Sequence, residues 1–368
     1  MNPRDWIADR SQGIEVSGIR KVFDLGKSLK DPVNLSIGQP HFPVPEPIKA
    51  AAKAAIDGDK NGYTVTQGAA EFLTRLQADT AKRYPGQDRA HLVTSGTSGG
   101  LLLALFAVVN PGDEVIVLDP YFVSYPNMIH IAGGITVTVD SYPDFQLNAD
   151  KIAEKITSKT KAVILCSPAN PTGAVLNPAA MQSVAALCRD RGILLISDEI
   201  YRAFHYDSPP RSPAEFDENV LVVEGFGKTY GITGWRLGYV HGPKAIVEEM
   251  TKLQQLTFVC APSIVQYAGI AAMDYDVTSI IADYKRKRDM MAEGLRDKFR
   301  FAIPAGAFYL FPEAPHGKGS DFVTEAIKNN LLCIPGNVFS KRDTHFRLSY
   351  AASDETLNRG IEILNRIV

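Results

Sequence analysis

The chain has 368 residues, more than one hydrophobic core usually supports, so its length predicts two domains. Hydrophobic residues make up 45% and charged residues 22%, a balance typical of soluble globular proteins. The 39 basic and 41 acidic side chains leave a formal charge of −2, which predicts neither a nucleic-acid partner nor an anionic membrane partner.

The extremes of the composition exclude further classes. The longest apolar run, 101–109, is about half of a bilayer span. The first ten residues carry mixed charge without an apolar segment, so we expect no secretory signal and a cytoplasmic protein. The cysteines form no CxxC pair, which predicts reduced thiols and no metal site. They are Cys166, Cys188, Cys260 and Cys333.

From about residue 46 the chain alternates helical patterns with short apolar strands, which is typical of an α/β fold with a mostly parallel sheet. The first helix is predicted over 46–57, where Pro47 suits the first turn and Gly58 ends it. A crossover helix is predicted over 178–191. The predicted strands are His91–Thr94, Val115–Leu118, Ile135–Val139, Ala162–Cys166, Ile193–Ser197 and Val220–Val223.

After about residue 265 the pattern changes. A long amphipathic stretch at 263–299 precedes two short strand patterns, Ala307–Phe311 and Phe346–Ala351, and then a C-terminal helix. This order predicts a smaller α+β domain, and the basic run Lys285–Arg288 is predicted to be a solvated helix face. The apolar stripe of the last helix consists of Leu357, Ile361, Leu364 and Val368.

Polar residues follow most of the predicted strands directly. Ligands of open parallel sheets bind at the carboxyl ends of the strands, so these residues are expected to meet at one edge. The segments that follow the strands are Ser95-Gly-Thr-Ser-Gly-Gly, Asp119-Pro-Tyr-Phe, Ser167-Pro-Ala-Asn-Pro-Thr-Gly, Asp198-Glu-Ile-Tyr and Glu224-Gly-Phe-Gly-Lys. Their clustering is stronger evidence of a site than any single motif.

The turn Gly96-Thr97-Ser98 is a candidate anion site because it begins a helix, whose first N–H groups are free. The alternative is an ordinary glycine-rich turn with a serine cap. Arg236 offers a planar set of donors for a phosphate, and its alternative is a surface salt bridge.

Four further residues are candidates for chemistry. Asp198 and Tyr201 follow a buried strand, where a carboxylate needs a partner, although Asp198 alone is also consistent with a helix cap. Asn170 lies between two prolines and would hold its amide rigidly, unless it forms an Asx-turn. Lys228 lies among glycines that allow close backbone approach, whereas most lysines are solvated.

Two motifs in the sequence suggest other activities. Gly227-Lys228-Thr229 resembles the end of a phosphate-binding loop, but the required earlier glycine position is Val222. The segment from Gly96 to Gly100 matches GxSxG, which leaves an α/β-hydrolase with Ser98 as nucleophile as an alternative. Its acid would be Asp198 and its base His241, His316 or His345.

Taken together, SPANPTG, DEIY and GKTYGITGWRLGY resemble the motifs of the fold-type I, class I/II aminotransferases, which use pyridoxal phosphate (PLP). The resemblance runs from Leu35 to Tyr350 and is specific because the Asn, Asp, Tyr, Lys and Arg occur in the family's order. It implies a large PLP-binding domain over 37–270 and a small domain made of 1–36 and 271–368.

The resemblance also implies a role for each matched residue. Lys228 would bind PLP covalently and act as catalytic base, Asp198 would pair with the ring nitrogen, and Tyr201 and Asn170 would bind the ring's phenolic oxygen. Phe122, with Tyr121 as the alternative, would cover the ring. The implied phosphate ligands are Gly96, Thr97, Ser98, Arg236 and, from the neighbouring subunit of a homodimer, Tyr63. The implied residues at the substrate α-carboxylate are Arg347, Asn170 and Gly38.

The residues suit these roles physically. A buried anion such as Asp198 favours a protonated ring nitrogen, which makes PLP a strong electron sink. A neutral Lys228 amine can move the Cα proton, a contribution of about 10²–10⁴-fold in rate. The guanidinium of Arg347 binds both oxygens of a carboxylate and so fixes its direction.

The chain departs from the family pattern at three points. Gly225 and Gly227 stand where many members have a serine that helps bind the phosphate. His41 stands where an aspartate is frequent. No basic residue is assigned to a second substrate carboxylate.

We therefore expect a cytoplasmic, homodimeric, PLP-dependent aminotransferase that acts on an α-amino acid and a 2-oxo acid such as 2-oxoglutarate. The donor would be aspartate or a broader neutral and aromatic set. A PLP-dependent C–S β-lyase on the same fold is the nearest alternative. A non-enzymatic PLP-binding regulator is disfavoured because no DNA-reading extension is present.

Overall fold

The structure is a computed structural model that describes residues 2–14, 18 and 29–368. Part of the segment 1–36 assigned to the small domain lies outside the described residues. The strands are β1 (Val33–Asn34), β2 (Ala90–Ser95), β3 (Glu114–Asp119), β4 (Ile135–Asp140), β5 (Thr160–Cys166), β6 (Leu194–Asp198), β7 (Leu221–Gly225), β8 (Leu237–Gly242), β9 (Tyr309–Leu310), β10 (Leu331–Leu332), β11 (Ile334–Pro335) and β12 (Phe346–Ser349).

Helices occupy most of the intervals between strands. The α-helices are α1 (Asp9–Gln12), α2 (Glu46–Asp57), α3 (Ala70–Arg83), α4 (Gly96–Val108), α5 (Ser124–Ile131), α6 (Ala149–Ala153), α7 (Pro178–Asp190), α8 (Phe226–Thr229), α9 (Lys244–Thr257), α10 (Ser263–Met273), α11 (Thr278–Leu295), α12 (Gly319–Lys328) and α13 (Asp354–Arg366). Short 3₁₀ turns occupy Pro3–Trp6, Pro213–Glu215, Thr233–Trp235 and Gly336–Val338.

A seven-stranded sheet in the order β2-β8-β7-β6-β5-β3-β4 forms the centre of the fold. The pairs β3/β4, β3/β5, β5/β6 and β6/β7 are parallel, which confirms the predicted mostly parallel α/β fold. All six predicted strands of this sheet form within two residues of their predicted ends. The apolar runs of β2, β3, β5, β6 and β7 are buried on both faces, whereas β4, at the edge of the sheet, is only partly buried and its Ile135 is 51% exposed. The predicted first helix and crossover helix are also confirmed as α2 and α7.

The strand β8 was not predicted. It pairs antiparallel with both β2 and β7 and so separates the first strand of the sheet from the rest. Its sequence, Leu237-Gly-Tyr-Val-His-Gly, interrupts the apolar pattern with two glycines and a histidine. The histidine and Gly238 are explained by contacts with neighbouring elements, and the local sequence does not reveal those contacts.

A buried network of charged side chains joins β7, β8 and the end of α3. Glu224 accepts hydrogen bonds from Arg83 Nη2 (2.8 Å) and His241 Nε2 (3.1 Å), and Arg89 Nε donates to His241 Nδ1 (2.7 Å). Burial lowers the pKa of His241 to about 3 despite Glu224. Such a network stabilises only the arrangement in which all of its members are paired.

The absence of a side chain at Gly238 brings β8 against the start of α4. A Cβ atom there would lie 2.6 Å from the Gly96 carbonyl carbon and 2.8 Å from the Thr97 nitrogen, both of which are backbone atoms. Contacts this short cannot be relieved by a change of rotamer. Gly238 therefore allows the close approach that places the Gly96 turn beside the sheet.

The C-terminal part of the chain corrects two predictions. Val368, predicted to lie on the apolar stripe of the C-terminal helix, lies beyond the end of α13, and the amphipathic stretch 263–299 contains the two helices α10 and α11. The basic run is not a fully solvated face, because Lys287 and Arg288 are only 3% and 4% exposed. Arg288 donates to the Pro304 carbonyl (2.6 Å) and to Asp207 (3.0 Å), whereas Lys285 and Arg286 are exposed as predicted.

The predicted strand patterns near residues 309 and 347 form a second sheet, in the order β11-β12-β9, and β1 pairs with β10. An aromatic core that includes Tyr284, Phe308 and Phe346 packs between these strands and α11, α12 and α13. In the part of the chain that the structure describes, no helix is both long and apolar enough to cross a bilayer.

We expect Gly238→Ala to lower the unfolding free energy by about 1–3 kcal/mol, the usual cost of forcing extra atoms into a packed site. Thermal unfolding followed by circular dichroism measures the effect. Gly234→Ala is the matched control, because a Cβ at Gly234 has no atom within 4 Å and should leave the midpoint unchanged or slightly raised. Equal midpoints for the two variants would contradict the close approach.

Candidate active site

A cleft of about 970 Å³, including its open mouth, lies at the carboxyl ends of the parallel strands. Eleven of the twelve predicted site residues line it, and Tyr63 does not, since it is 85% exposed at another position. The predicted lining residues are Gly38, Gly96, Thr97, Ser98, Phe122, Asn170, Asp198, Tyr201, Lys228, Arg236 and Arg347. The additional lining residues are Cys166, Ile200, Gly227, Thr233, Leu237 and Tyr309.

Lys228 lies in α8, a single helical turn that follows β7. Its amine donates a hydrogen bond to the Gly38 carbonyl. Burial, and then the charges of Arg347 and Arg236, lower the pKa of Lys228 to about 8. Lys228 is therefore not a solvated lysine, and its amine loses its proton readily enough to act as a nucleophile or base near neutral pH.

Asp198 ends β6 at the bottom of the cleft and is 3% exposed. Tyr125 donates its hydroxyl proton to Oδ2 (2.7 Å), and the Ile200 N–H donates to Oδ1 (3.2 Å). Burial raises the pKa of Asp198 to about 6, while these two hydrogen bonds act in the opposite direction. The carboxylate is therefore ionised at neutral pH but lacks a cationic partner among the described residues.

Arg347, in β12, is 1% exposed and its direction is fixed by three contacts. Nη1 donates to Asn170 Oδ1 (2.9 Å), Nη2 donates to the Ser36 carbonyl (2.7 Å), and the guanidinium lies 4.6 Å from the Tyr309 ring centre. Its buried Nε has no partner in the described structure. Asn170 thus makes a side-chain contact instead of an Asx-turn, and Arg347 retains donors for an anionic ligand.

Two tyrosine hydroxyls meet on one wall of the cleft. Tyr201 Oη and Tyr309 Oη lie 2.7 Å apart, and burial raises the pKa of Tyr201 well above its usual range. Tyr201 therefore stays protonated and can donate a hydrogen bond. Phe122 lines the cleft and packs edge-on against Tyr125, with 5.5 Å between ring centres.

The other end of the cleft is suited to an anion. Gly96 has a φ of +67° and begins α4, whose first N–H groups have no partners within the helix. No side chain caps this helix, which removes the serine-cap interpretation. A Cβ at Gly96 would lie 2.5 Å from Arg236 Nη2, so the guanidinium lies directly against the turn.

The two glycines that replace serines have a packing explanation in one case. A Cβ at Gly225 would lie 2.8 Å from Ile200 Cδ1 and 2.9 Å from Thr97 Cγ2. A side chain at Gly225 would therefore require the side chains of Ile200 and Thr97 to shift. At Gly227 the nearest atom would be Thr233 Cα at 3.4 Å, which is an ordinary contact.

These groups form a graded electrostatic environment. An anionic carboxylate lies at the bottom, an amine of lowered pKa lies at Lys228, and a helix N-terminus with a guanidinium lies at the far end. PLP has complementary groups. Its basic ring nitrogen suits the carboxylate, its aldehyde suits the amine, and its phosphate suits the helix N-terminus and the guanidinium. The donor set therefore fits PLP.

The comparison with known protein families agrees with this chemistry. The family described as aminotransferase class I and II matches residues 30–364. The chain belongs to this family. This aminotransferase is 34% identical to a probable aspartate aminotransferase of Methanocaldococcus jannaschii, over 98% of this chain and 99% of the relative. It is 35% identical to the aspartate/prephenate aminotransferase of Thermus thermophilus, over 95% and 94% of the two chains.

A solved structure supports the same assignment. The aspartate aminotransferase from Thermus thermophilus with maleate superposes on this aminotransferase with a TM-score of 0.93, at 31% identity, covering 98% of this chain and 99% of that one. The predicted fold-type I architecture and PLP dependence are confirmed, and the protein is an enzyme that transfers nitrogenous groups.

The alternative activities gain no support. The relatives reported above are aminotransferases, which speaks against the C–S lyase and the non-enzymatic regulator. For a hydrolase, Ser98 needs a histidine base, yet no histidine is among the described residues that line the cleft. His241 instead lies in β8, where it is hydrogen-bonded to Glu224 in the buried network.

Three lining or supporting residues were missed by the sequence analysis. Tyr125 and Tyr309 resemble ordinary core aromatics in the sequence, and only the fold shows that their hydroxyls meet Asp198 and Tyr201. Cys166 ends β5 in the cleft, where burial raises the pKa of its thiol far above the usual range, so the thiol stays protonated. The position of Tyr125 in the segment after Asp119-Pro was the available clue.

We expect Tyr125→Phe to weaken PLP binding, because Asp198 loses a donor worth about 1.5–3 kcal/mol, or tenfold and more in affinity. The pKa of Asp198 should also rise further above about 6, so that PLP binding is lost at a higher pH on acidification. Titration of the apoenzyme with PLP by fluorescence between pH 5.5 and 8 measures both effects.

Tyr84→Phe is the control for that experiment, because the buried Tyr84 hydroxyl has no hydrogen-bond partner and lies outside the cleft. It should bind PLP as the wild type does. If Tyr125→Phe kept both the wild-type affinity and its pH dependence, the hydroxyl would have no part in holding Asp198.

Proposed function

We propose that the enzyme moves an amino group from an α-amino acid to a 2-oxo acid such as 2-oxoglutarate, with the residues in the roles implied by the family. The observation that carries the proposal is the convergence of Lys228, Asp198 and Arg347 in one cleft. An amine of lowered pKa, a buried carboxylate and a buried guanidinium are the three charges that this reaction requires.

The cofactor would be held at five points. Lys228 would bind its aldehyde carbon, Asp198 would face its ring nitrogen, Tyr201 and Asn170 would donate to its phenolic oxygen, and Phe122 would cover the ring. The proposed phosphate ligands are Gly96, Thr97, Ser98 and Arg236. PLP, when bound, supplies an electron sink that stabilises negative charge at the substrate Cα.

The chain's own residues would then control the proton and the substrate. The Lys228 amine would take the proton from the substrate Cα and hold it until it is returned. Arg347 and Gly38 bind the α-carboxylate, and the Asn170 contact orients the guanidinium. Fixing the carboxylate orients the Cα–H bond toward Lys228, which is the entropic part of the catalysis.

The proposed donors are aspartate or a broader set of neutral and aromatic amino acids. Aspartate is supported by the names of both relatives. The broader set is supported by the described lining of the cleft, where the cations are Lys228, Arg236 and Arg347 and all three already have proposed roles. The cleft is also lined by the aromatic residues Phe122 and Tyr309, which suit an uncharged substrate side chain.

We also propose that the enzyme is a cytoplasmic homodimer with a large domain over 37–270 and a small domain made of 1–36 and 271–368. A set of exposed apolar residues, here called the apolar patch, supports the dimer. It consists of Tyr63, Val65, Leu256, Phe258 and Val259. Gln254 joins its two segments by donating to the carbonyls of Thr66 and Val93 (both 2.9 Å). In the dimer, Tyr63 would reach the phosphate site of the partner.

We expect Lys228→Ala to lower turnover by about 10²–10⁴-fold or more, because the base at Cα is removed. The assay offers a panel of amino acids with 2-oxoglutarate and follows glutamate formation. Borohydride should attach PLP to Lys228 in the wild type, as shown by peptide mass. Release of ammonia and a thiol without glutamate would favour the lyase, and normal turnover of Lys228→Ala with loss in Ser98→Ala would favour the hydrolase.

We expect Leu256→Glu to shift the sedimentation coefficient toward that of a monomer and to weaken PLP binding, because a charge in an apolar interface is costly to bury. Ile303→Glu is the matched control, since Ile303 is also exposed but lies outside the patch. A wild type that sediments as a monomer would reject the dimer.

A further inference from the structure

The segment Ser36–Phe42, here called the Gly38 loop, connects the cleft to helix α11. Gly38 lines the cleft and its carbonyl accepts a hydrogen bond from Lys228. Three residues later, His41 contacts α11 outside the cleft. His41 is the residue that stands where the family frequently has an aspartate, and its contacts give this departure a physical role.

His41 binds α11 through its backbone and both ring nitrogens. Its N–H donates to Tyr284 Oη (3.2 Å), its Nδ1 lies 3.0 Å from the same oxygen, and its Nε2 lies 2.6 Å from Lys287 Nζ. The Lys287 ammonium has only protons to give, so Nε2 must be the acceptor. The ring is therefore neutral, with its proton on Nδ1 and directed at Tyr284.

Lys287 is a buried cation whose three protons all have acceptors. Besides His41, these are the Ala352 carbonyl (2.7 Å) and Asp283 Oδ2 (3.3 Å). A buried ammonium is stable only when its donors are satisfied. Removal of His41 Nε2 leaves one of them without a partner, so the contact is not an incidental surface pair.

Lys287 joins the end of the Gly38 loop to the residues that follow β12. The same two segments also contact each other at the proposed substrate site. Arg347 Nη2 donates to the Ser36 carbonyl, and the Ser349 N–H donates to the Leu35 carbonyl (both 2.7 Å). These bonds connect the start of the Gly38 loop to β12. Through His41 and Ala352, Lys287 connects the end of the loop to the residues that follow β12.

We propose that His41 and Lys287 are positioning residues, which hold the Gly38 loop against the β12 segment and so set the distance between the Gly38 backbone and the Arg347 guanidinium. We call this pair the His41–Lys287 latch. The inference rests on the proposed function, in which Gly38 and Arg347 bind the substrate α-carboxylate. The latch contributes to substrate binding and leaves PLP binding unchanged, because neither residue lines the cleft.

The latch depends on pH because only the neutral imidazole can accept a hydrogen bond from Lys287. The charged groups around His41 are Lys287, which opposes its protonation, and Asp283 and Asp354, which favour it. Both carboxylates are also paired with Arg286. Burial and Lys287 outweigh the carboxylates and keep the pKa of His41 below 6.5. The contact is thus present above about pH 6.5 and is lost as the pH falls through that lowered pKa.

The test compares three variants of the PLP-loaded enzyme. His41→Leu and Lys287→Met remove the contact, and we expect each to raise KM for the best amino donor of the panel about three- to tenfold. Their kcat should change less than twofold, and their dissociation constants for PLP should match the wild type. His41→Asp keeps an acceptor for Lys287 and should restore the wild-type KM.

The pH profile separates positioning from a merely structural effect. On acidification from pH 6.5 to 5 the wild-type KM should rise more than the KM of His41→Asp, since an aspartate beside an ammonium titrates below about 3.9. The titration of Asp198 is common to both enzymes and cancels in this comparison. Lys285→Met is the matched control. Lys285 lies on the same helix but pairs with Asp207 (3.0 Å), so its loss should not affect KM.

The outcomes distinguish the two proposals. An active wild type with His41→Leu and Lys287→Met at the wild-type KM across this pH range would overturn the latch and leave the proposed function intact. A wild type that transfers no amino group from any member of the panel would reject both. Failure of Lys287→Met to fold does not block the test, because His41→Leu and His41→Asp still give opposite expectations.

Discussion

Among the described residues only neutral donors hold the buried Asp198 carboxylate, and the rest of this site depends on that constraint. The Asp198 side chain is held by a phenol and a backbone N–H, and its pKa lies near 6 because its surroundings are apolar. Burial of such an anion is unfavourable unless a cation approaches it. The fold therefore maintains an unsatisfied negative charge at the bottom of the cleft, and a protonated ring nitrogen would satisfy it. Tyr125 and β6 determine where that nitrogen must lie.

The sheet topology explains how groups from distant parts of the chain come together. Parallel strands deliver Asn170 and Asp198 to one edge, while the antiparallel β8 returns the chain so that Arg236 lies beside the Gly96 turn. Arg347 arrives from a different sheet and is fixed by Asn170 and Tyr309. The three cations of the cleft are thus held by separate elements. Their mutual repulsion contributes to the lowered pKa of Lys228.

Local patterns were sufficient for most of the large sheet and for part of the cleft. Apolar runs bounded by Gly, Asp and Asn located β2 to β7, and the rule that ligands bind at carboxyl strand ends gathered Asn170, Asp198 and Lys228. Gly38 and Arg347 were predicted only through the resemblance to the family. Patterns failed where tertiary contacts decide the outcome. β8 was missed because Gly238 and His241 interrupt its apolar pattern, and both residues are required by contacts with other elements. Lys287 and Arg288 were predicted to be solvated because a charge run does not reveal a buried acceptor such as the Pro304 carbonyl. The hydroxyl of Tyr125 could not be assigned because its partner lies 73 positions away in the sequence.

The ionic contacts around Glu224 have a consequence for the adjoining residue pair of the same two strands, Gly225 and Gly238. Apolar ladders of Val and Leu tolerate slippage, since a shifted pair buries nearly as much surface. A slip of β7 against β8 would separate Glu224 from His241 and Arg83, leaving ions stranded in the interior. These contacts therefore fix the register of β7 against β8, and with it the pairing of Gly225 with Gly238. The position of the anion-binding turn therefore depends on a cluster of charged side chains that does not contact the ligand.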